Sequence, residues 1–139
     1  MTRRLLLASI LVLALVVAAC TGSSATPVSV SGTSWAMTGF EGLAGGLEGM
    51  PPTSVTLAFA NDGTVSGKGA CNTFSGAYTT DGNKLKMGPL GATKMACPGT
   101  AAVWETAYFS FLEGSPNYSV NGDQLVLSGA STKITYAKS

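Results

Sequence analysis

The chain of 139 residues contains three cysteines and no histidine, and these two counts limit the chemistry it can perform. Without His, the Ser-His-Asp and Cys-His nucleophilic arrangements are excluded, and the commonest zinc ligand sets are missing. No lysine has a serine three residues before it, so a Ser-x-x-Lys nucleophile is also excluded. The acidic residues show no converging spacing, and Asp62, Asp81 and Asp123 lie in predicted turns, where Asp is common for backbone reasons. We therefore expect no enzyme activity, no metal site and no cofactor.

The first cysteine, Cys20, follows a segment with the order of a lipoprotein signal. Arg3 and Arg4 supply positive charge, and an apolar run of residues 5–19 follows, interrupted only by Ser9. That run is short for a membrane span, which takes about 20 residues, but suits a signal peptide. It ends in Val-Ala-Ala before Cys20, which resembles the lipobox of bacterial lipoproteins. We expect cleavage before Cys20, a diacylglyceryl group on its thiol, and a flexible tether over 20–27.

The charge of the remaining chain argues against nucleic acid as a partner. Removal of residues 1–19 leaves six Lys and no Arg against seven acidic residues. Nucleic-acid affinity comes largely from neutralising phosphates, and no basic patch is left to do so. The expected partners are the membrane, through the lipid on Cys20, and an envelope protein. The expected location is the cell membrane or the outer membrane, facing the periplasm or exterior. Position 21 is Thr and not the Asp associated with inner-membrane retention, so the outer membrane is expected in a host that has one.

The second and third cysteines, Cys71 and Cys97, admit three interpretations. Export places them in an oxidising compartment, where a disulfide persists. As buried thiols they would be small apolar core residues, and as a redox pair they would need a lowered pKa. The disulfide would close a loop of about 26 residues and stabilise the fold by roughly 3–4 kcal/mol in the chain-entropy model.

Alternation of apolar and polar residues predicts strands over most of residues 28–139. Val55, Leu57 and Phe59 share one face of such a strand. Turn residues at 61–63, 80–83 and 121–123 predict three hairpins. The predicted strands are 34–38, 54–60, 64–69, 76–79, 84–87, 118–120, 124–127 and 134–137. The glycine-rich stretch 39–52 predicts either a connection between strands or a mobile binding loop.

One segment, from Thr100 to Glu113, breaks this alternation and predicts a helix. Its apolar residues recur at the spacing of a helix face, and they are Val103, Trp104, Ala107, Tyr108, Phe111 and Leu112. Thr100 is the expected N-cap and Gly114 the expected end of the helix. The apolar face is expected to pack on the sheet, with an aromatic ligand site as the alternative. The fold class is α+β: a curled antiparallel sheet or partly closed barrel of about 7–8 strands with one covering helix.

Two sequence blocks resemble the META/HslJ-like domain of small bacterial envelope proteins. They are GACNTFSGAY at 69–78 and LGATKMAC at 90–97, with Glu105 in the helix that follows. The resemblance covers residues 28–138, and its one departure is Ala70, where many members carry a second glycine. It implies a compact fold in which strands curl around a helix. It implies little about activity, because the family has no agreed catalytic mechanism. Asn72 and Thr93 are the polar residues it singles out, either as a recognition site beside the cysteines or as structural hydrogen-bonding groups.

Together these features predict a non-catalytic, membrane-anchored envelope module that binds another component or supports stress tolerance. One alternative is an inhibitor of a secreted hydrolase such as lysozyme or a protease, with 39–52 as its loop. A second alternative is a carrier of a small ligand or lipid, which would require a cavity.

Substitution Cys20→Ser tests the anchor. We expect the variant to lose the lipid and its firm membrane association, because each buried CH₂ of the acyl chains contributes about 0.8 kcal/mol of membrane binding. Membrane fractionation and intact mass measure both effects, with Thr21→Ser as the neighbouring control. A Cys20→Ser protein as firmly membrane-bound as wild type would contradict the lipid anchor.

Overall fold

A computed structural model describes residues 28–139 as one antiparallel barrel with a single α-helix. The predicted signal segment, Cys20 and the predicted tether lie outside the described residues. The strands are β1 (Thr33–Glu41), β2 (Thr56–Phe59), β3 (Thr64–Lys68), β4 (Thr73–Asp81), β5 (Lys84–Met87), β6 (Gly91–Ala92), β7 (Asn117–Asn121), β8 (Gln124–Ser128) and β9 (Lys133–Lys138). A 3-10 turn (Pro52–Ser54) precedes β2, and helix α1 (Thr100–Glu113) lies between β6 and β7.

Eight of these strands close into a ring. Their order is β3-β2-β1-β9-β8-β7-β5-β4, and β4 pairs with β3 to complete the circle. The ninth strand, β6, adds two residues to β4, pairing at Phe74 with Ala92 and at Ser75 with Gly91. The predicted fold class is confirmed, and the barrel is fully closed rather than partly open.

Within the ring, β5 and β7 are the neighbouring strands that share the fewest residue pairs. These strands share one register pair, Lys84 with Asn117. Two further backbone bonds flank it, from Leu85 N to Pro116 O at 2.9 Å and from Tyr118 N to Asn83 O at 2.7 Å. All other neighbours in the ring share at least four pairs.

The inward residues alternate along each strand, as the sequence pattern predicts. The barrel interior is filled by apolar and aromatic side chains: Trp35, Met37, Leu57, Phe59, Val65, Phe74, Leu85, Met87, Tyr118, Leu125, Leu127, Ile134 and Tyr136. Helix α1 adds Trp104, Tyr108 and Leu112 to this core.

The two ends of the barrel differ in their connections. One end, here called the turn end, carries the tight turns 60–63, 82–83 and 122–123, together with the start of β1 and the end of β9. Hydrogen bonds join these elements, from Gly32 N to Phe59 O and from Ser139 N to Ser34 O. The opposite end, here called the helix end, carries the longer connections and α1.

Helix α1 lies across the helix end and contacts several of its connections. Gly45, in the loop after β1, lies so close that a Cβ there would stand 2.7 Å from Trp104 N. Glu113 Oε1 accepts a 2.7 Å bond from Leu90 N, and the Phe111 ring lies against Gly129. The helix therefore covers the barrel as predicted.

The helix boundaries match the prediction, but two details of its termini and face differ. The N-cap is Gly99, not Thr100; Thr100 is the first helical residue, and its hydroxyl instead bonds the carboxylate of Glu48. Val103, predicted on the core face, is 53% exposed. The helix ends at Gly114 as predicted, while the residue with positive φ is Ser115.

The stretch 39–52 is a connection that rests on the core. Its first residues, Gly39 to Glu41, belong to β1. Leu43, Leu47 and Met50 then pack, partly buried, against the barrel. These contacts favour the connection over a mobile loop.

Two fully buried hydroxyls, Tyr108 and Tyr136, bond each other at 3.0 Å in the core. Burial raises the pKa of Tyr108 above its usual value, while the bond to Tyr136 lowers it. Burial also raises the pKa of Tyr136, and the neighbouring Tyr108 raises it further. Both hydroxyls therefore stay protonated in the folded state at pH values where the unfolded chain ionises them.

Alkaline unfolding tests this pair. Because the folded-state pKa values are raised, the stabilisation is complete below about pH 10, the unfolded value, and is lost as the pH rises. We expect each tyrosine to lower the free energy of unfolding by up to about 1.4 kcal/mol per pH unit above that point. The double variant Tyr108→Phe/Tyr136→Phe, measured by urea unfolding between pH 7 and 11, should show a shallower decline. Parallel curves for variant and wild type would contradict it.

Candidate functional site

A buried carboxylate, Glu105, stands at the centre of the residues that the sequence singles out. It lies on the inward face of α1 between Trp104 and Thr106 and is 5% exposed. An ionised side chain at this depth is costly unless its oxygens are hydrogen-bonded.

Three donors from the turn between β3 and β4 satisfy this carboxylate. Glu105 Oε2 accepts bonds from Cys71 N at 2.7 Å and Asn72 N at 2.8 Å. Glu105 Oε1 accepts a bond from Asn72 Nδ2 at 2.5 Å. The turn thus folds its backbone and one amide around the carboxylate, and charge-assisted bonds of this kind are the stronger ones.

The other end of the Asn72 amide reaches a third segment, the chain between β6 and α1. Its Oδ1 accepts bonds from Thr93 Oγ1 at 2.9 Å and Met95 N at 2.7 Å. Thr93 Oγ1 in turn accepts a 3.2 Å bond from Thr73 N. Glu105, Asn72 and Thr93, here called the Glu105 network, therefore join the helix, the β3–β4 turn and the segment 93–97.

A disulfide between Cys71 and Cys97 joins the same two segments covalently, with Cα atoms 5.6 Å apart. Both residues are half-buried. Closing the 26-residue separation stabilises the fold by about 3.5 kcal/mol in the chain-entropy model. Of the three interpretations of Cys71 and Cys97, the structure contains the disulfide.

Asn72 and Thr93, which belong to the two sequence blocks of the family resemblance, lie together in the structure. Their hydrogen bonds are made to other groups of the protein. The Asn72 side chain is 7% exposed and uses both its oxygen and its nitrogen within the network. Thr93 Oγ1 both donates and accepts. The recognition role remains a prediction, and the structural hydrogen-bonding role is the one the contacts describe.

Ala70, the departure from the family pattern, is compatible with this geometry. It is buried at 3% exposure, and it is not among the residues with positive φ. The backbone there does not need the freedom of a glycine.

Surface concavities near the site are open and shallow. One is an apolar groove on the outer side of α1, lined by Ala44, Ala102, Val103, Thr106 and Ala107. A second, beside β4 and β6, is lined by Thr73, Ser75 and Thr93 among others. Within residues 28–139, no helix is both long and apolar enough to cross a membrane.

The sequence profile of the META domain matches residues 28–139. The chain belongs to the META-domain family. No curated protein matches it. Three solved structures are similar to this chain in fold. An NMR structure of a protein from Burkholderia xenovorans is 24% identical, with a TM-score of 0.62 over 79% of this chain and 83% of that one.

A second NMR structure is 21% identical, with a TM-score of 0.60 over 76% of this chain and 88% of the other. A crystal structure of a DUF4847 family protein from Bacteroides vulgatus is 19% identical, with a TM-score of 0.54 over 78% and 93% of the two chains. At these identities the likeness concerns the fold alone.

Removal of the network's centre tests its structural role. Glu105→Ala would leave Cys71 N, Asn72 N and Asn72 Nδ2 without their acceptor, and each unsatisfied buried donor costs about 1–3 kcal/mol. We expect a loss of about 3 kcal/mol or more in the free energy of unfolding, measured by urea denaturation.

The matched control is Glu113→Ala on the same helix, because Glu113 is exposed and accepts a single bond from Leu90 N. Its expected cost is below about 1 kcal/mol. Equal losses in the two variants would contradict the central role of Glu105.

Proposed function

We propose that this META-domain protein is a non-catalytic binding module of the bacterial envelope, anchored through lipid on Cys20 and presenting its helix end to a protein partner. The observation that carries the proposal is the Glu105 network, whose polar groups bond one another instead of facing a substrate. The polar residues most suggestive of a site therefore hold the fold together, which leaves the surface for recognition.

The network lacks what catalysis needs. A general base needs a lone pair within reach of the proton it removes, and Glu105 is 5% exposed with three donors already on its oxygens. The sequence contains no histidine to activate a neighbouring hydroxyl. These facts support a binding role over an enzymatic one.

The topology supports an orientation. Residue 28 enters the barrel beside the start of β1, at the turn end, so a tether over 20–27 would hold this end near the membrane. A flexible tether of eight residues, as the composition of 20–27 predicts, would have a root-mean-square span of roughly 16 Å. Strand β1 alone is nine residues long, or about 30 Å. The helix end would then face away from the anchoring membrane.

The outer side of α1 supports that end as the contact surface. Up to its last turn, the exposed residues Val103, Thr106 and Ser110 carry no charge, although a solvent-facing helix surface is usually charged or strongly polar; the exposed carboxylate of Glu113 lies at the end of the helix. Val103 also lines the apolar groove against Ala44. An uncharged, partly apolar surface suits a protein partner.

A carrier function has less support. A carrier requires an internal cavity, and the described barrel interior is filled by large side chains, including Trp35, Trp104, Tyr108 and Tyr136. The concavities named above are on the surface.

Inhibition of a secreted hydrolase is the second candidate, and one observation favours it. The loop after β1 is held against α1 at two points, through the close approach of Gly45 to Trp104 N and the bond between Glu48 and Thr100. It is therefore firmer than its glycines suggest. Titration of the soluble domain against lysozymes and proteases tests this candidate, and no inhibition would contradict it.

Site-specific photocrosslinking in cells tests the main proposal with the lipidated full chain. A photoreactive residue at position 103 samples the helix end, and one at position 62 samples the turn end as the matched control. We expect one dominant protein adduct from position 103 and a weak or absent one from position 62. Mass spectrometry of the purified adducts identifies the partner.

Equal adducts from both positions, or none from either, would contradict the proposal. A lipid or small molecule retained in native mass spectrometry, with no protein adduct, would instead support the carrier.

A further inference from the structure

The disulfide and the buried carboxylate of the Glu105 network form a cluster of metal-ligating groups. The Sγ atoms of Cys71 and Cys97 and a carboxylate oxygen of Glu105 all lie within 4.8 Å of one another. The three groups come from three separate segments, and the Glu105 network joins these segments by hydrogen bonds that do not depend on the disulfide. The cluster is therefore preorganised around a small volume.

We propose that the dithiol form of the domain binds a thiophilic divalent cation, with Zn²⁺ as the type, through Cys71 Sγ, Cys97 Sγ and Glu105. Two thiolates and a carboxylate are ligand types that zinc accepts, and a water molecule can complete its preferred four-coordinate geometry. The Cα atoms of the two cysteines are 5.6 Å apart, so both sulfurs can reach one ion without a large backbone movement.

Glu105 retains one acceptor position for this role. A carboxylate has about four lone-pair sites. Two bonds occupy Oε2 and one occupies Oε1, which leaves one site on Oε1. The donors already on Glu105 would then orient it as a ligand, as outer partners do in zinc sites.

Charge explains why the cation belongs to the dithiol form alone. In the disulfide the sulfurs are neutral and bonded to each other, so they offer no thiolate. Opening the bond and ionising both thiols would place three negative charges together, which is unfavourable without a counter-charge. A divalent cation supplies it.

The chemistry balances with a dithiol as reductant. The reductant donates two electrons and two protons, the Cys71–Cys97 S–S bond breaks, two S–H groups form, and the reductant becomes a disulfide. The cation then displaces the two thiol protons to solvent as two metal–sulfur bonds form, and its own charge state is unchanged. A chain that has not yet been oxidised needs no reductant and is already in the binding form.

The two cysteines are the partly exposed members of the cluster. Cys71 and Cys97 are half-buried while Glu105 is 5% exposed. The reductant and the cation can therefore approach from the sulfur side, and the carboxylate closes the site from within.

Metal titration of the intact domain under anaerobic conditions tests the proposal. The reduced protein is titrated with Co²⁺, followed by its thiolate charge-transfer absorption, and Zn²⁺ is then used to displace it. We expect one ion per chain, release of two protons per ion, and no binding to the disulfide form. The Cys71→Ser/Cys97→Ser variant is expected to show no charge-transfer band.

Two further variants examine the ligands separately. Glu105→Gln is expected to weaken binding by at least about 10-fold, since even outer-shell partners contribute that much, while the matched control Glu113→Gln binds as wild type. Because Glu105→Gln can fail to fold, Cys97→Ser is measured too; it leaves the Glu105 network intact and is expected to weaken binding by at least about 10-fold and to weaken the charge-transfer band.

Several results would overturn the proposal. They are a reduced wild-type protein that binds no ion, one that binds no more tightly than the double serine variant, and a folded Glu105→Gln protein with wild-type affinity.

Discussion

The hydrogen bonding of one buried carboxylate, Glu105, is the constraint on which the rest of the domain depends. Its oxygens collect three donors from residues 71 and 72, which fixes α1 to the turn between β3 and β4. The helix then lies across the helix end, where its aromatic residues complete the core. Trp104 stacks on Tyr108 at 4.9 Å, and Phe40 packs edge-on against Trp104. Loss of the carboxylate would leave buried donors unpaired and free the helix from its turn.

The helix supports a ring in which neighbouring strands are paired to different extents. Strands β5 and β7 share one residue pair, and α1 enters the chain just before β7. Glu113 bonds Leu90 N at one end of the helix, and the disulfide holds the segment that precedes the other. Local fixation of α1 thus supports the seam next to it. The same fixation buries Asn72 and ties the exposed Thr93 to it by a hydrogen bond, which is why the proposed partner surface lies on the outer side of the helix.

Much of the fold could be predicted because it depends on local pattern. Alternating residues predicted all eight strands of the ring, and the turn residues near Asn61, Asp81 and Asn121 predicted its hairpins, since side-chain direction in a strand follows position alone. The helix bounds, Thr100 to Glu113, agree with the structure. Several local details were wrong or missed, among them the exposure of Val103 and the ends of β1 and β4. The N-cap is Gly99 because the Thr100 hydroxyl binds Glu48, and β6, two residues long, carries no periodic signal.

The sequence by itself determined the strand and helix pattern, the absence of histidine chemistry and the order of residues that predicts lipidation at Cys20. Its resemblance to the META domain singled out Asn72 and Thr93, and placed Glu105 in the following helix without a role. Only the tertiary structure decided what they do, because Asn72 and Glu105 lie 33 residues apart and no periodicity relates them. Pairing of the distant strands β1 and β9, which the closed ring requires, was likewise decided in three dimensions. From the sequence alone, a charged residue on an apolar helix is expected to be exposed. Glu105 is buried because donors from a distant turn satisfy its oxygens.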